Sequence, residues 1–351
     1  MSIHEISLAL EDSMVDLSMQ RLLRLADESW VFINETEAHA ILMKHGVAFL
    51  DHLSAFYDAW PDHDQMQLPT KQVFTTPGLA GDFRVMPSAI NSLRLKFVKV
   101  IGTNEEQRSI MDKICVGKAM LIDYYDNHVY ALFDVCVLSS FRTAAIACLA
   151  MRRSGLKPRT VGLIGAGRIG FYTAFILHRW CGLSTAAIYD PDPGNRDRFA
   201  SLCAHYLPGL TIQWQPLDAL CRESEAVFLA TTSKVPLCDR SNSEGIAFLA
   251  SVGADADNLS EIDASLLETH RLVTDSQQSM GLGDMNRWGS AGLLHDGMVT
   301  ELKDFSAATH PKDKNVLFIS TGVAVQDALV CKFVYDLSVG IEKCPTIGIQ
   351  S

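Results

Sequence analysis

The stretch that decides the fold is VGLIGAGRIGFYTAFIL, residues 161–177. Its first four residues form a short apolar run, as in a strand buried on both faces of a parallel sheet. Gly165, Gly167 and Gly170 then make GxGxxG: the first allows a tight turn, the second lets a pyrophosphate approach bare backbone, and the third lets the following helix pack on the strand. That helix would point its N-terminal N–H groups at the phosphates. The stretch therefore predicts a Rossmann dinucleotide-binding domain.

The next predicted strand supports this interpretation. It covers residues 184–189 and ends at Asp190, twenty residues beyond Gly170, where an acidic side chain would accept hydrogen bonds from an adenosine ribose. The same carboxylate repels a 2′-phosphate, which favours NAD over NADP. Arg196 and Arg198 lie just downstream, so NADP is not excluded. The alternative to a dinucleotide site is a glycine-rich turn in another kind of α/β domain.

Composition restricts the class of protein further. The chain has 351 residues, 48% of them hydrophobic and 20% charged, as in a soluble protein large enough for two domains. A net charge of -11 disfavours nucleic acid and anionic membrane surfaces as partners. We expect no membrane span, because no apolar run approaches about 20 residues, and no signal segment in the acidic N-terminus. These two expectations predict a cytoplasmic protein. The nine cysteines, an odd number with no C-x-x-C pair, are expected to be reduced thiols.

The segment before the Rossmann stretch predicts a second architecture. Residues 1–30 are compatible with an N-terminal helical extension of unknown role, and Glu35 to Ala59 has the apolar spacing of a helix. Strand-like pieces separated by turns follow between residues 71 and 134, which predicts a mostly antiparallel or mixed sheet. Residues 139–155 predict a helix capped by one of its first two serines and ended by a glycine.

Two strand ends of the predicted parallel sheet carry polar residues, and ligands bind at such ends. Thr231, Thr232 and Ser233 follow one strand. The two threonines are candidates to line the nicotinamide ribose, although strand-end capping explains them equally well. Asp255 and Asp257 follow another strand. From spacing alone, Asp255 is more readily a solvated turn carboxylate than a substrate ligand. The eleven histidines show no metal-ligand spacing, so no metal is predicted.

The first domain offers cations for an acidic substrate group. Lys71, Arg84, Lys99 and Arg142 each sit beside apolar residues. An amino-acid substrate needs a donor for its α-carboxylate, and arginine supplies a bidentate one. Any one of these side chains is more often a surface charge. Arg142 is the exception, because it lies near the start of an otherwise apolar helix whose N-terminus also favours an anion.

Four segments now carry a family resemblance. SSFRTAAIACLA, GLIGAGRIG, SVGAD and LFISTGVAVQDALV occur in this order. Together they resemble the ornithine cyclodeaminase and mu-crystallin family over about residues 31–345. The resemblance implies a homodimer with an α+β substrate-binding and dimerisation domain over residues 31–155, completed by residues 316–351. The Rossmann NAD-binding domain would occupy residues 156–315.

The same resemblance implies roles by motif position. Arg142 matches the arginine that binds the substrate carboxylate, Lys99 the active-site lysine, and Lys71, more loosely, a basic carboxylate ligand. Asp255 matches the catalytic aspartate, which reverses the interpretation from spacing alone. Arg84 is a further substrate-binding candidate. The cofactor-binding candidates are Gly165, Gly167, Arg168, Ile169, Gly170, Asp190, Thr231, Thr232, Ser233, Val252 and Gly253.

The chain also departs from the cyclodeaminase pattern. It reads KVIGTNEEQ after the lysine, where cyclodeaminases carry an asparagine and a His-Pro element, and ADNLSE where they carry Pro-Gly-Lys. MPS at 86–88, VKVIGTN and SSFRTAA look closer to the branch of N-(2-amino-2-carboxyethyl)-glutamate dehydrogenases, which generally lacks the GAD found here. The chain falls between subgroups, so its substrate stays open.

The resemblance implies one elementary step, hydride transfer between an amino-acid α-carbon and the nicotinamide through an imine. We expect an NAD-dependent oxidoreductase acting on the C–N bond of an amino, imino or N-substituted, opine-like amino acid. Arg142 and Lys71 would hold the carboxylate, Lys99 would carry a proton or stabilise charge, and Asp255 would accept a proton from, or orient, the amine or water.

Two other functions stay open at this point. One is a cyclodeaminase-type lyase that recycles its NAD and releases ammonia. The other is a non-catalytic nucleotide-binding protein, which the joint presence of Lys99, Arg142 and Asp255 disfavours. The altered segment after Lys99 favours the oxidoreductase over the lyase.

Overall fold

The computed structural model describes residues 28–104, 113–309 and 314–340, together with Leu22, Arg24 and Ile110. Most of the predicted N-terminal extension, residues 1–30, and the end of the predicted C-terminal segment, from residue 341, lie outside the described residues. The described residues form two large sheets, each packed against helices.

The first domain is built on a seven-stranded sheet. Its strands are β1 (Val31–Ile33), β2 (Met66–Gln67), β3 (Gln72–Phe74), β4 (Asp82–Ile90), β5 (Leu95–Thr103), β6 (Cys115–Asp123) and β7 (Val129–Asp134). The pairs β4–β5, β5–β6 and β6–β7 are antiparallel, whereas β1 pairs in parallel with the other edge of β7. The predicted mixed sheet is therefore confirmed.

Helices α1 (Glu35–Asp58) and α2 (Cys136–Ser154) belong to the same domain. Asn34 and Glu37 form a capping box that starts α1. The predicted serine cap of α2 is wrong, because α2 begins at Cys136, two residues after β7 ends, and no side chain caps it. The two serines lie inside the helix, and the Ser140 hydroxyl donates to the Cys136 carbonyl. The tendency of serine to cap helices does not decide where α2 starts, because the chain passes from β7 into α2 without a loop.

The second domain is a parallel sheet of the doubly wound type. Its strands are β8 (Val161–Ile164), β9 (Thr185–Tyr189), β10 (Thr211–Trp214), β11 (Ala226–Leu229), β13 (Phe248–Ser251), β15 (His270–Thr274), β16 (Val299–Glu301) and β17 (Asn315–Ile319). A separate parallel pair consists of β12 (Lys234–Cys238) and β14 (Ser260–Ile262). The order β10-β9-β8-β11-β13-β17-β15-β16 reverses direction at β8, and ligands bind at such a switch point. The predicted Rossmann domain is confirmed.

Six further α-helices follow among the described residues. They are α3 (Arg168–Cys181), α4 (Pro193–Tyr206), α5 (Leu217–Glu223), α6 (Arg240–Ser243), α7 (Gly283–Ser290) and α8 (Ala324–Ser338). Helix α8 leaves the second sheet and packs against α1, α2 and β5 of the first domain. Strand β17 is hydrogen-bonded between β13 and β15, so the return to the first domain begins after Ile319 rather than at residue 316. No helix in the described part of the chain is long and apolar enough to cross a membrane.

Candidate functional site

A cavity of about 730 Å³ lies where the two sheets meet. One wall comes from β4 and β5 of the first domain. The other comes from the loops at the carboxyl ends of β8, β11 and β13, and the start of α2 and the turn before α8 complete the floor. The strand ends at the topological switch point therefore open toward the buried side of the first sheet.

The glycine loop, residues 165–170, has the geometry that a dinucleotide needs. Gly165 has a φ of +107°, and a Cβ there would lie 2.5 Å from the Ala230 carbonyl oxygen. A Cβ on Gly170 would lie 2.2 Å from the Gly165 carbonyl oxygen. Gly167, by contrast, faces open space, with no described atom within 4 Å of a Cβ, and no side chain caps the start of α3. This open, uncapped helix N-terminus fits a pyrophosphate group.

Asp190 lies beside the glycine loop but outside the cavity lining. One carboxylate oxygen accepts a hydrogen bond from the Ala166 N–H at 2.8 Å, and the other accepts from the Asp192 N–H at 2.9 Å. The side chain thus supports the glycine loop, and its contact with a ribose stays a prediction. Arg196 donates to the Asp190 carbonyl and Arg198 to the Asn195 side chain.

Glu261 joins the two loops that predicted cofactor residues occupy. It accepts hydrogen bonds from the N–H of Thr231 at 2.6 Å, the N–H of Gly253 at 2.9 Å and the hydroxyl of Ser251 at 2.6 Å. Burial raises the pKa of the Glu261 carboxyl, while these hydrogen bonds favour its ionised form. Glu261 therefore links the ends of β11 and β13. Sequence reasoning missed it, because a single glutamate in SEI carries no local signal.

Thr231, Thr232, Val252 and Gly253 line the cavity, and their contact with a cofactor stays a prediction. Ser233 does not line the cavity; its hydroxyl donates a hydrogen bond to the Val235 carbonyl at 2.7 Å. The two predicted strand-end loops therefore meet at one cavity, and Ser233 is the residue of the first loop that does not line it.

Asp255 and Arg84 connect the two domains across the cavity. The Arg84 guanidinium contacts the Asp255 carboxylate with one nitrogen and binds both oxygens of Asp82 at 2.8 and 3.0 Å. The Asp255 side chain is 36% exposed. Burial opposes its ionisation, but the charges of Arg84 and Lys71 hold the pKa of Asp255 below its usual range. Asp255 is thus an ionised acceptor at neutral pH.

Lys99 and Arg142 share one buried carboxylate. The Lys99 Nζ lies 2.7 Å from one oxygen of Asp327, and the Arg142 Nε lies 3.0 Å from the other. Burial lowers the pKa of Lys99 even though Asp327 opposes the shift. Arg142 sits in the second turn of α2, where its Nε pairs with Asp327, and the predicted binding of an anion near this helix N-terminus stays a prediction. Asp327 had no predicted role, although it belongs to the STGVAVQD segment that carried the resemblance.

Lys71 is the cation of this group that faces the cavity without an ion pair among the described residues. Its Nζ donates to the Thr321 carbonyl oxygen at 2.6 Å. Burial lowers the pKa of Lys71 to about 8, against the opposing charge of Asp255. Lys71 is therefore still mostly protonated at neutral pH and loses its positive charge as the pH rises through about 8.

The structure brings most of the predicted site residues to one cavity. The predicted substrate-binding residues Lys71, Arg84 and Arg142 line the same cavity as loop residues 167–169 and the strand-end residues described above. The predicted catalytic residues Lys99 and Asp255 line it too. Gly165, Gly170, Asp190 and Ser233 do not line it. Among the described residues, no three His, Cys, Asp or Glu side chains cluster as metal ligands would.

A glycine loop on an uncapped helix faces basic side chains across one cavity, an arrangement typical of the Rossmann-type dinucleotide-binding proteins. The chain belongs to the Ornithine cyclodeaminase/mu-crystallin family, which it matches over residues 35–341.

Individual relatives are distant. The chain is 25% identical over 213 residues to the alanine dehydrogenase of Archaeoglobus fulgidus, which covers 59% of this chain and 65% of that enzyme. It is 22% identical over 292 residues to the ketimine reductase mu-crystallin of Mus musculus, covering 82% of this chain and 90% of the relative. A solved structure of Thermococcus litoralis Delta(1)-pyrroline-2-carboxylate reductase, in complex with NADH and L-proline, superposes with a TM-score of 0.79 at 21% identity. It covers 88% of this chain and 98% of that chain, and it shows the shared fold.

Proposed function

We propose that this chain is an NAD-dependent oxidoreductase acting on the C–N bond of an amino, imino or N-substituted amino acid. The observation that carries the proposal is the single cavity in which an ionised Asp255 and four basic side chains face the glycine loop. Family membership supports it, because relatives carry the names alanine dehydrogenase and ketimine reductase. A dehydrogenase must place a substrate against a nicotinamide, and this cavity joins the two sites.

The residues present fit an NAD cofactor. The backbone of Gly167, Arg168 and Ile169 would hold the pyrophosphate, with the Arg168 charge beside it. The loops of Thr231 and Gly253, held together by Glu261, would border the nicotinamide half. When bound, the nicotinamide supplies or accepts the hydride exchanged with the substrate α-carbon. The carboxylate of Asp190 disfavours a 2′-phosphate, so NAD is the preferred form and NADP the alternative.

Arg142 and Lys71 would bind the substrate carboxylate. A guanidinium has five N–H donors. Within the described residues, three of the Arg142 donors are used by Asp327, Gln326 and Ser139, which leaves donors for a bidentate contact. Lys71 adds a charge whose described acceptor is a backbone carbonyl. This arrangement fixes one end of the substrate and leaves its α-carbon to face the cofactor site.

Asp255 and Lys99 would move protons. Asp255 is ionised at neutral pH, so it can accept a proton from the substrate amine or from an attacking water. Lys99 has a lowered pKa, so it exchanges a proton more readily near neutral pH than an ordinary lysine does. Arg84 would keep the Asp255 carboxylate in place through its direct contact.

The test is the near-ultraviolet absorbance of reduced nicotinamide, with NAD and a panel that contains ornithine, alanine, proline and N-substituted glutamates. Substrate-dependent build-up of reduced cofactor supports the proposal. Ammonia release without build-up would instead establish a lyase of the cyclodeaminase type. Asp255→Asn is the control, because it should bind NAD and lose turnover. No turnover of any compound, with NAD or NADP and in either direction, would refute the enzymatic assignment.

We also propose a homodimer formed through the outer face of the first sheet. Phe74, Phe83, Val100 and Val116 lie on neighbouring strands and are 39–47% exposed. The Phe74 and Phe83 rings stack at 4.7 Å, on the face opposite Arg84. Contiguous exposed apolar side chains mark an association surface. A monomer in sedimentation equilibrium would remove this proposal.

We further propose a cytoplasmic location. The described cysteines are unpaired, including Cys221 and Cys238, whose sulfur atoms lie 3.8 Å apart. A reducing compartment keeps such a pair as thiols. Cell fractionation that places the protein in an oxidising compartment would contradict this proposal.

A further inference from the structure

We propose that Asp327 is a positioning residue that holds Lys99 and Arg142 as one preassembled pair for the substrate. This inference rests on the proposed function. Asp327 comes from the first turn of α8, Lys99 from β5 and Arg142 from α2. A single carboxylate, outside the cavity lining, thus joins three elements through two side chains that do line the cavity.

The geometry shows that each carboxylate oxygen has its own cation. One oxygen lies 2.7 Å from the Lys99 Nζ and the other lies 3.0 Å from the Arg142 Nε. The Asp327 side chain is 0% exposed and that of Lys99 is 1% exposed. Rotating the carboxylate to improve one contact would therefore break the other, so the positions of the two cations are coupled.

The charge balance of the cluster formed by Lys99, Arg142 and Asp327 explains why it suits a carboxylate substrate. Two buried cations share one buried anion, which leaves a net positive charge of one on this cluster. A buried charge without a counter-ion is costly. A substrate carboxylate supplies the missing anion, and it meets cations that are already in place. Preassembled cations lose little conformational entropy when the substrate binds.

The orientation of Arg142 depends on the same residue. Asp327 uses the Nε edge of the guanidinium, and Gln326, the preceding residue on α8, accepts from NH1 at 3.3 Å. Gly322 lies against the two terminal nitrogens. The turn before α8 and its first residues therefore enclose the guanidinium and aim its remaining donors.

Asp327 also acts on the protonation of Lys99. Its negative charge raises the pKa of Lys99 against the lowering effect of burial. Without that charge, Lys99 would lose its proton at a lower pH. The charged and titratable groups that face Lys99 are Asp327 and Cys331 from α8, Arg142 from α2, Lys71 from the loop before β3 and Cys115 from β6.

The test compares Asp327→Asn with Asp336→Asn. Asp336 is buried on the same helix, is paired with Lys332 at 2.6 Å and lies outside the cavity lining. We expect Asp327→Asn to keep NAD affinity, to raise the substrate KM about tenfold or more, and to move the alkaline limb of the kcat/KM profile to lower pH. Asp336→Asn should leave all three measurements unchanged.

The outcomes are distinct. A folded Asp327→Asn enzyme with the wild-type KM and pH profile overturns the inference, because a merely structural aspartate would affect stability alone. If Asp327→Asn does not fold, Asp327→Glu decides: it keeps the charge but moves the carboxylate, so it should keep the wild-type alkaline limb and raise KM, and a wild-type KM overturns the inference.

A second measurement distinguishes failure of the proposed function from failure of this inference. If the wild-type protein turns over nothing in the panel, the readout becomes stabilisation against heat by L-alanine and L-proline in the presence of NAD. Stabilisation of wild type and Asp336→Asn but not of Asp327→Asn would support the positioning role. Equal stabilisation of all three, or none of any, would overturn it.

Discussion

We predict that Gly322→Ala lowers kcat/KM by displacing Arg142, in addition to the loss of stability that its left-handed backbone causes. Gly322 has a φ of +79°, and an alanine Cβ there would lie 2.7 Å from both terminal nitrogens of Arg142. The left-handed backbone costs a residue with a Cβ about 1–2 kcal/mol in free energy of unfolding. An ordinary contact of 3.4 Å would also require the guanidinium to retreat by roughly 0.7 Å. A misplacement of about 1 Å can cost 10²-fold in rate, so we expect kcat/KM to fall on the order of 10- to 100-fold.

The matched control is Gly182→Ala. Gly182 ends α3 with a φ of +72°, and no described atom lies within 4 Å of a Cβ built there. Its alanine variant has the same backbone cost without the contact with Arg142. Steady-state kinetics with the best substrate of the panel, together with urea unfolding, would be measured on both variants. We expect a similar loss of unfolding free energy in both, and a loss of kcat/KM in Gly322→Ala alone.

Two results would refute this reasoning. A folded Gly322→Ala enzyme with wild-type kcat/KM would show that the guanidinium does not need the space above the glycine. An equal loss of kcat/KM in Gly182→Ala would show that the decline follows from lower stability. The first result would mean that the turn does not control the position of Arg142, and the second that the loss in Gly322→Ala is an effect of stability and not of that position.

Other parts of the site give further predictions. Raising the pH through about 8 should increase the substrate KM, because Lys71 then loses its proton, and Lys71→Arg should remove that rise in a KM–pH profile. Glu261→Gln should lower the unfolding free energy by about 2 kcal/mol and weaken NAD binding, because its amide nitrogen cannot accept from the N–H donors that Glu261 binds; unchanged NAD affinity in calorimetry would contradict this. Gly170→Ala should abolish NAD binding, because its Cβ would lie 2.2 Å from the Gly165 carbonyl oxygen, and retained calorimetric binding would show that the loop can rearrange.

Short-range signals predicted most of the second domain. The apolar run over residues 161–164 is β8, and the strand predicted over residues 184–189 is β9 with one residue fewer. Strands buried on both faces have continuous apolar runs, and GxGxxG requires close backbone contacts, so both features can be recognised locally. The start of α2 could not be recognised in this way, because β7 leads into the helix without the loop that a serine cap would mark.

Contacts between distant segments account for what sequence reasoning missed at the site. Asp327 is 228 residues from Lys99 and 185 from Arg142 along the chain. Glu261 is 30 residues from Thr231, on a strand of three residues. An acidic side chain in a strand or helix has no local feature that distinguishes an ion-pair partner from a surface charge. Its role becomes visible only when the fold shows which donors surround it.

By itself, the sequence determined the Rossmann domain, the mixed sheet of the first domain and the residue types of the candidate site. These follow from periodicity, from glycine spacing and from a family resemblance. Only the tertiary structure decided that Lys99 and Arg142 share one carboxylate, that Arg84 connects Asp82 with Asp255, and that Asp190 supports the glycine loop. The physical reason is that the charge state of a buried group depends on desolvation and on its nearest partners, and both are set by the packing of segments far apart in the chain.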